Sequence, residues 1–168
     1  MISNRRYQYF VEGETEKKLI NELKKEVTLI RSGAVNVFNA VEQHITNAML
    51  TNLSSNTIVV LVFDTDKKKT GILKENIIRL RQSKNVKEVW LVMQVEHLED
   101  ELIRSTDVKE IKSLIGSRSN SDFKRDMLKE KRLMIKLYDH NFDLEKMWVT
   151  KPSKEYDYFH NDGEKIKL

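Results

Sequence analysis

Thr57-Ile58-Val59-Val60-Leu61-Val62-Phe63, followed directly by Asp64-Thr65-Asp66, is the stretch on which the fold turns. It is almost wholly apolar and rich in β-branched side chains, the pattern of a central parallel strand covered on both faces. A second apolar stretch, Tyr7-Gln8-Tyr9-Phe10-Val11, ends in Glu12-Gly13. Each stretch leaves acidic groups just past a strand. If the two strands are parallel neighbours, their C-terminal ends share the rim on which open α/β sheets build their sites. Glu12, Asp64 and Asp66 then converge, and carboxylates so gathered repel one another unless protons or a cation intervene. Oxygen ligands with open positions suit Mg²⁺ or Mn²⁺.

Working outward, residues 16–27 carry Leu19, Ile20 and Leu23 at helical spacing, which makes a strand-to-helix unit with the first strand. The apolar run 27–30 predicts a second strand closing at Ser32-Gly33. After it, Val37, Val41, Ile45 and Ala48 predict a helix over 36–50, and 52–56 is a polar turn. Beyond the central strand the spacing predicts a loop over 67–71, a helix over 72–82 and a fourth strand over 86–95. Strands alternating with helices imply a doubly wound α/β sheet, mainly parallel and four-stranded, with helices on both faces. After residue 97 the pattern turns helical, over 98–104, 108–115, 122–133 and 142–148. The single proline, Pro152, marks the expected close of the packed region. The expected organisation is a catalytic domain over 1–105, a helical C-terminal extension packed on it over 106–152, and a tail over 153–168 free to move.

Composition narrows the function. At 168 residues the chain suits one core of ordinary size, and 39% hydrophobic with 33% charged residues fits a globular protein with a heavily charged surface. With no cysteine there is no disulfide, thiolate metal site or thiol nucleophile, which fits a reducing cytoplasm. The segment Met1 to Arg6 is followed by an apolar stretch broken by Glu12 and Glu14, unlike a signal-peptide core. No run approaches the roughly 20 apolar residues a membrane span needs. A net charge of +4 permits an anionic partner without demanding one. His44 falls on the apolar face of the predicted second helix, near the core edge, and His97, His140 and His160 lack metal-ligand spacing to one another.

Taken together, Tyr-Phe-Val-Glu12-Gly13-Glu-Thr-Glu and Leu-Val-Phe-Asp64-Thr-Asp66-Lys resemble the Toprim domain of topoisomerases, bacterial primases and nucleases of the overcoming-lysogenization-defect type. The resemblance spans roughly residues 6–105. It implies a Toprim-like fold and a divalent-metal-dependent nuclease acting on DNA or RNA, with a role in anti-phage defence. On that likeness Glu12 is the acid, base or metal ligand, Asp64 and Asp66 are the metal pair, and Gly13 gives a tight turn beside the substrate. Glu99, after the fourth strand, matches an acidic position that helps hold a second metal, and Lys124 matches a lysine near the metals.

Other positions fit phosphate binding. Lys67 and Lys68 follow the acidic pair, and Ser119 and Ser121 precede a predicted helix start. Each residue also has a plainer use. Glu12 and Glu16 complement the positive end of a helix, Asp64 and Asp66 suit a turn, Ser121 an N-cap, and the lysines a solvated loop. Tyr156, Tyr158 and Phe159 with Lys151 and Lys154 form a basic and aromatic stretch able to stack on bases or to pack as a tail. No Gly-x-x-x-x-Gly-Lys-Ser/Thr phosphate loop occurs, so an ATPase would be a separate partner protein, part of any defence system. Two alternatives stay open: primase-like nucleotidyl transfer, and a non-catalytic module that regulates a partner.

Overall fold

The computed structural model describes residues 5–168; Met1 to Asn4, where the reading of the N-terminus as no signal peptide begins, lie outside the described residues. The chain is an α/β protein built on a four-stranded, wholly parallel sheet with helices on both faces, consistent with the doubly wound arrangement of a Toprim-like fold. Strands β1 (Arg6–Val11), β2 (Ala34–Val37), β3 (Thr57–Asp64) and β4 (Val86–Gln94) stand in the order β2-β1-β3-β4. Every residue of β3 is buried, as its unbroken apolar run requires of a strand covered on both faces.

Alternate side chains of the strands feed two cores. On one face Tyr9, Val11, Val60, Val62 and Val92 meet Leu19, Ile20 and Leu23 of helix α1 (Glu14–Lys25). On the other, Phe10, Val59, Leu61 and Leu91 meet Leu73, Ile77 and Leu80 of α3 (Gly71–Gln82). The chain leaves β1 in one direction with α1 on the first face, then returns past β1 to β3 through a connection whose Phe38, Val41 and Ile45 pack on the second face, where α3 also lies. A single crossover hand demands that pairing of direction and face. The order therefore reverses between β1 and β3. A crevice opens at such a switch point, outside the strands' C-terminal ends.

Two expected elements are corrected. The run 27–30 is a turn, with Val27 exposed and Ile30 bridging antiparallel to Lys167, and the second strand begins only after Gly33. Gly33 lies so close to β1 that an added Cβ would stand 2.3 Å from the Tyr7 carbonyl oxygen, which lets β2 pair alongside. No helix covers 36–50. Asn39 Oδ1 accepts from the backbone N–H groups of Val41 (3.1 Å) and Glu42 (3.3 Å), a local side-chain alternative to helical bonding. Asn76 of α3, fully buried, then fastens the loop: its Oδ1 accepts from Ile45 N–H and its Nδ2 donates to the Ala40 and Gln43 carbonyls. Only α2 (Asn47–Asn52) is helical there, capped by Thr46. His44 is accordingly on an exposed loop, 3.3 Å from Glu75, and not at a core edge.

The helical region differs in detail. Helix α4 (Leu98–Arg104) is where the spacing predicts it, and α5 is only Lys112–Ile115, closed by Gly116 at φ +76°. The helix expected over 122–133 breaks at Glu130, whose side chain accepts from Arg132 N–H (2.8 Å), giving α6 (Phe123–Lys129) and α7 (Leu133–Asp139). Around 142–148 there is only a 3-10 turn at Leu144–Lys146. Packing continues well past Pro152. Tyr156 and Ile166 are fully buried, and a last helix, α8, spans Gly163–Ile166. The segment seals the free edge of β4: Asp162 N–H donates to the Leu91 carbonyl (2.6 Å), Asp162 Oδ2 accepts from Leu91 N–H, and Asn161 Oδ1 accepts from Met93 N–H. An exposed edge strand invites pairing with other chains, and this strap forecloses it.

Candidate functional site

Register fixes the site. Val11 lies beside Val62 and Asp64 beside Gln94, so Glu12 comes off β1 next to the end of β3 at the switch point. Glu12 Oε2 accepts from the backbone N–H of Asp64 at 2.9 Å, joining the two halves of the motif directly. Asp64 is buried. Its Oδ1 accepts from Gln94 Nε2 (2.6 Å), and its Oδ2 lies 3.2 Å from His97 Nδ1. Burial, then the Glu12 charge, push the Asp64 carboxyl up to about 7, against the pull of Gln94 and His97. Burial also raises Glu12, opposed by the Asp64 N–H and helped by Glu16, Asp66 and Glu42. For His97, burial favours the neutral ring, but the hydrogen bond to Asp64 and the Asp64 charge outweigh it and raise the pKa.

Sequence reasoning missed three members of this cluster. Glu16, assigned to the helix dipole, is buried with its Oε2 accepting from Thr15 Oγ1 (3.1 Å), and its charge acts on Glu12 and Asp64. Gln94 and His97 bind Asp64. The available signal was position alone, since both sit where β4 meets the same rim. There Glu96 takes a positive φ of 66°, which is uncommon outside glycine. The reason for Gly13 is also corrected. Its backbone is extended (φ −151°), not tightly turned, and what it provides is room: an added Cβ would lie 3.0 Å from Glu16 Oε2.

The remaining expected residues divide. Lys124 of α6 reaches the rim, 3.3 Å from Glu99, and the charges of Glu16 and Asp64 act on it as well. Burial opposes the Lys124 charge, but Glu99 raises its pKa on balance. Glu99 Oε2 is buried without a hydrogen-bond partner. Lys67 is tied to Glu42 (3.2 Å) and stands 4.0 Å from Asp66, while Lys68 lies near Glu155. Ser119 and Ser121 are spent within their own turn: Ser119 Oγ donates to Asp122 Oδ2 and lies 2.9 Å from Ser121 Oγ. The residue preceding α6 is Asp122, so Ser121 is not its N-cap.

As the side chains stand, no three His, Asp or Glu groups among the described residues are arranged to hold a metal ion. Both Asp64 oxygens already have partners, whereas Glu12 Oε1 and the Asp66 carboxylate make no hydrogen bond among the described residues. That donor set fits Mg²⁺, which retains waters and is commonly held by one or two carboxylates together with substrate phosphate. It does not fit a closed cage. No family model, no curated protein and no solved structure matches this chain. Among the described residues no helix is long and apolar enough to cross a membrane.

Proposed function

We propose that the chain is a divalent-metal-dependent nuclease that cleaves phosphodiester bonds in DNA or RNA. The observation that carries the reading is the meeting of Glu12, Asp64 and Asp66 at the sheet's switch point, with Glu12 bonded to the Asp64 backbone. Such mutually repelling carboxylates favour a bound cation. Glu12 Oε1 and Asp66 would hold Mg²⁺ or Mn²⁺, with Asp64 joining once released from His97. Bound there, the metal would neutralise charge on the scissile phosphate and lower the pKa of an attacking water.

The chain's own residues supply the rest. Where Glu12 does not ligate the metal, its carboxyl, with a pKa raised by burial, is suited to accept or return a proton. Gln94 and His97 fix the plane of the Asp64 carboxylate. Lys124 keeps its charge beside Glu99 and can offset negative charge developing on the phosphate. The resemblance to defence nucleases extends the proposal to an anti-phage role with a separate partner protein.

The test is cleavage of labelled single- and double-stranded DNA, structured RNA and transfer RNA with Mg²⁺ or Mn²⁺, beside the Glu12→Gln and Asp64→Asn proteins. Metal-dependent cutting lost in both variants supports the nuclease and names its polymer. Cutting that survives both removes this site. Labelled nucleotide incorporation on a single-stranded template, without cutting, would replace hydrolysis by nucleotidyl transfer.

A further inference from the structure

The basic and aromatic stretch near the C-terminus divides in the structure. Tyr156 is buried, whereas Tyr158 is 78% exposed on the outer face of α3. Between α3, β4 and the C-terminal strap lies a cavity of about 320 Å³. Lys74, Ile77, Ile78 and Arg81 line it from one stripe of α3, and Val89 and Leu91 form its floor. Ile78 is 54% exposed there and gives the cavity an apolar ledge. The Lys74 ammonium sits 4.5 Å from the centre of the Tyr158 ring, and Tyr158 is braced edge-on by Phe159.

Charge in the cavity is unbalanced. Its one carboxylate, Asp162, is engaged by Lys165 at 2.8 Å and by the Leu91 N–H. Lys74 and Arg81 have no carboxylate partner among the described residues. An exposed ring and an apolar ledge flanked by two unneutralised cations match the two parts of a nucleotide, a flat base and an anionic phosphate. Phe159 and His160 also line a second cavity, of about 470 Å³, which continues past Lys151 to Met93 and Tyr156. Tyr156 in turn donates to the Lys67 carbonyl, beside Asp66. Phe159 and His160 thus stand between the two cavities, and neither cavity is lined by Glu12, Asp64 or Asp66.

We propose that this groove on the α3 face binds single-stranded nucleic acid, with a base stacked on the open face of Tyr158 beside Ile78 and its flanking phosphates held by Lys74 and Arg81. The proposal deepens the nuclease reading and rests on it for the polymer. A peptide rich in acidic residues would use the cations but leave the ring and ledge idle.

The test is fluorescence anisotropy of labelled oligothymidylate and oligouridylate in chelator, where no cutting occurs, with polyglutamate as competitor. Tyr158→Ala should weaken binding about tenfold. The double variant Lys74→Ala, Arg81→Ala should flatten the salt dependence by roughly 1.4 in slope, about 0.7 for each lost phosphate. All three side chains are on the surface, and thermal melting checks that the variants fold. Wild-type protein that binds neither oligomer, binding indifferent to the three residues, or polyglutamate competing as well as the oligomers whether or not Tyr158 is present would each overturn the proposal. The two readings fail separately. Binding lost in the groove variants with no cutting by any form keeps the groove and removes the nuclease, and Glu12-dependent cutting with binding indifferent to the groove does the reverse.

Discussion

Two carboxylates lie buried near the C-terminal ends of β3 and β4, Asp64 closing β3 and Glu101 in the helix that follows β4, and they are treated in opposite ways. Glu101 of α4, fully buried, is compensated on every side. Its Oε1 accepts from Val95 N–H (3.0 Å) and Arg104 Nη2 (2.9 Å), and its Oε2 accepts from Trp148 N–H (2.8 Å). Asp64 has two partners as well, but it faces Glu12 and Glu16, and burial, then the Glu12 charge, push its pKa up to about 7. Burial of an acid is therefore no mark of a site. The mark is burial against other acids, which costs stability and is retained where a cation or a proton is to be handled.

The sharpest way to break the comparison is at Glu101. Its removal strands two backbone donors and the Arg104 charge, and it unpins the chain at Trp148 from α4. Truncating one partner of a buried pair costs about 3 kcal/mol or more, and the partial exposure of Arg104 puts Glu101→Ala at the low end. Urea unfolding should report that loss, with Mg²⁺-induced stabilisation unaltered. A loss under about 1 kcal/mol would mean that Glu101 is not the knot its contacts describe.

Asp64→Asn should act in the opposite direction. Between the ordinary value of 3.8 and about 7, the folded protein holds a proton that the unfolded chain has released. Stability contributed by that proton is present below the window and lost as pH rises through it. Asparagine keeps an oxygen for Gln94 and an amide for His97 without the charge. The variant should match wild type near pH 4 and exceed it on the order of 2 kcal/mol at pH 8 in chelator, with Mg²⁺ narrowing the gap. Thermal melts across pH give the answer, and a gap that does not vary with pH would show that Asp64 ionises normally.

How far the sequence could be read follows from how each feature is encoded. Helix α3 and strands β1, β3 and β4 were legible because long apolar periodicities write them. The meeting of Glu12 with Asp64 followed from parallel strand ends alone. Strand β2 was not legible: Ala34-Val35-Asn36-Val37 is short and mostly exposed, and it is held in place by the missing side chain of Gly33 against Tyr7. The loop after it carries a helical spacing that the side chains of Asn39 and Asn76 override through hydrogen bonds invisible in a hydrophobic pattern. His97 and Gln94 are long-range partners of Asp64, and no local spacing announces such contacts. The C-terminal strap looked like a tail because its anchors, Tyr156, Asn161, Asp162 and Ile166, are scattered among polar residues.

Tyr156 gives the finest test, because it joins the strap to the acidic rim. Its ring stacks on Phe63 with centroids 6.3 Å apart, and its hydroxyl donates to the Lys67 carbonyl at 2.8 Å. Burial, then the charges of Asp66, Glu12 and Asp64, push the phenol up to about 12, so it stays protonated and a donor throughout the neutral range. Tyr156→Phe removes the hydrogen bond and leaves the ring in its slot, at a cost of about 1 kcal/mol. If the bond only fastens the tail, the change ends there. If it also sets the Asp66-Lys67 loop against Glu12, Mg²⁺ should stabilise the variant measurably less than wild type, and the Glu101→Ala protein will not share that loss despite its larger defect. Equal Mg²⁺ response in wild type and Tyr156→Phe would separate the strap from the rim and leave the carboxylates to arrange themselves from the sheet alone.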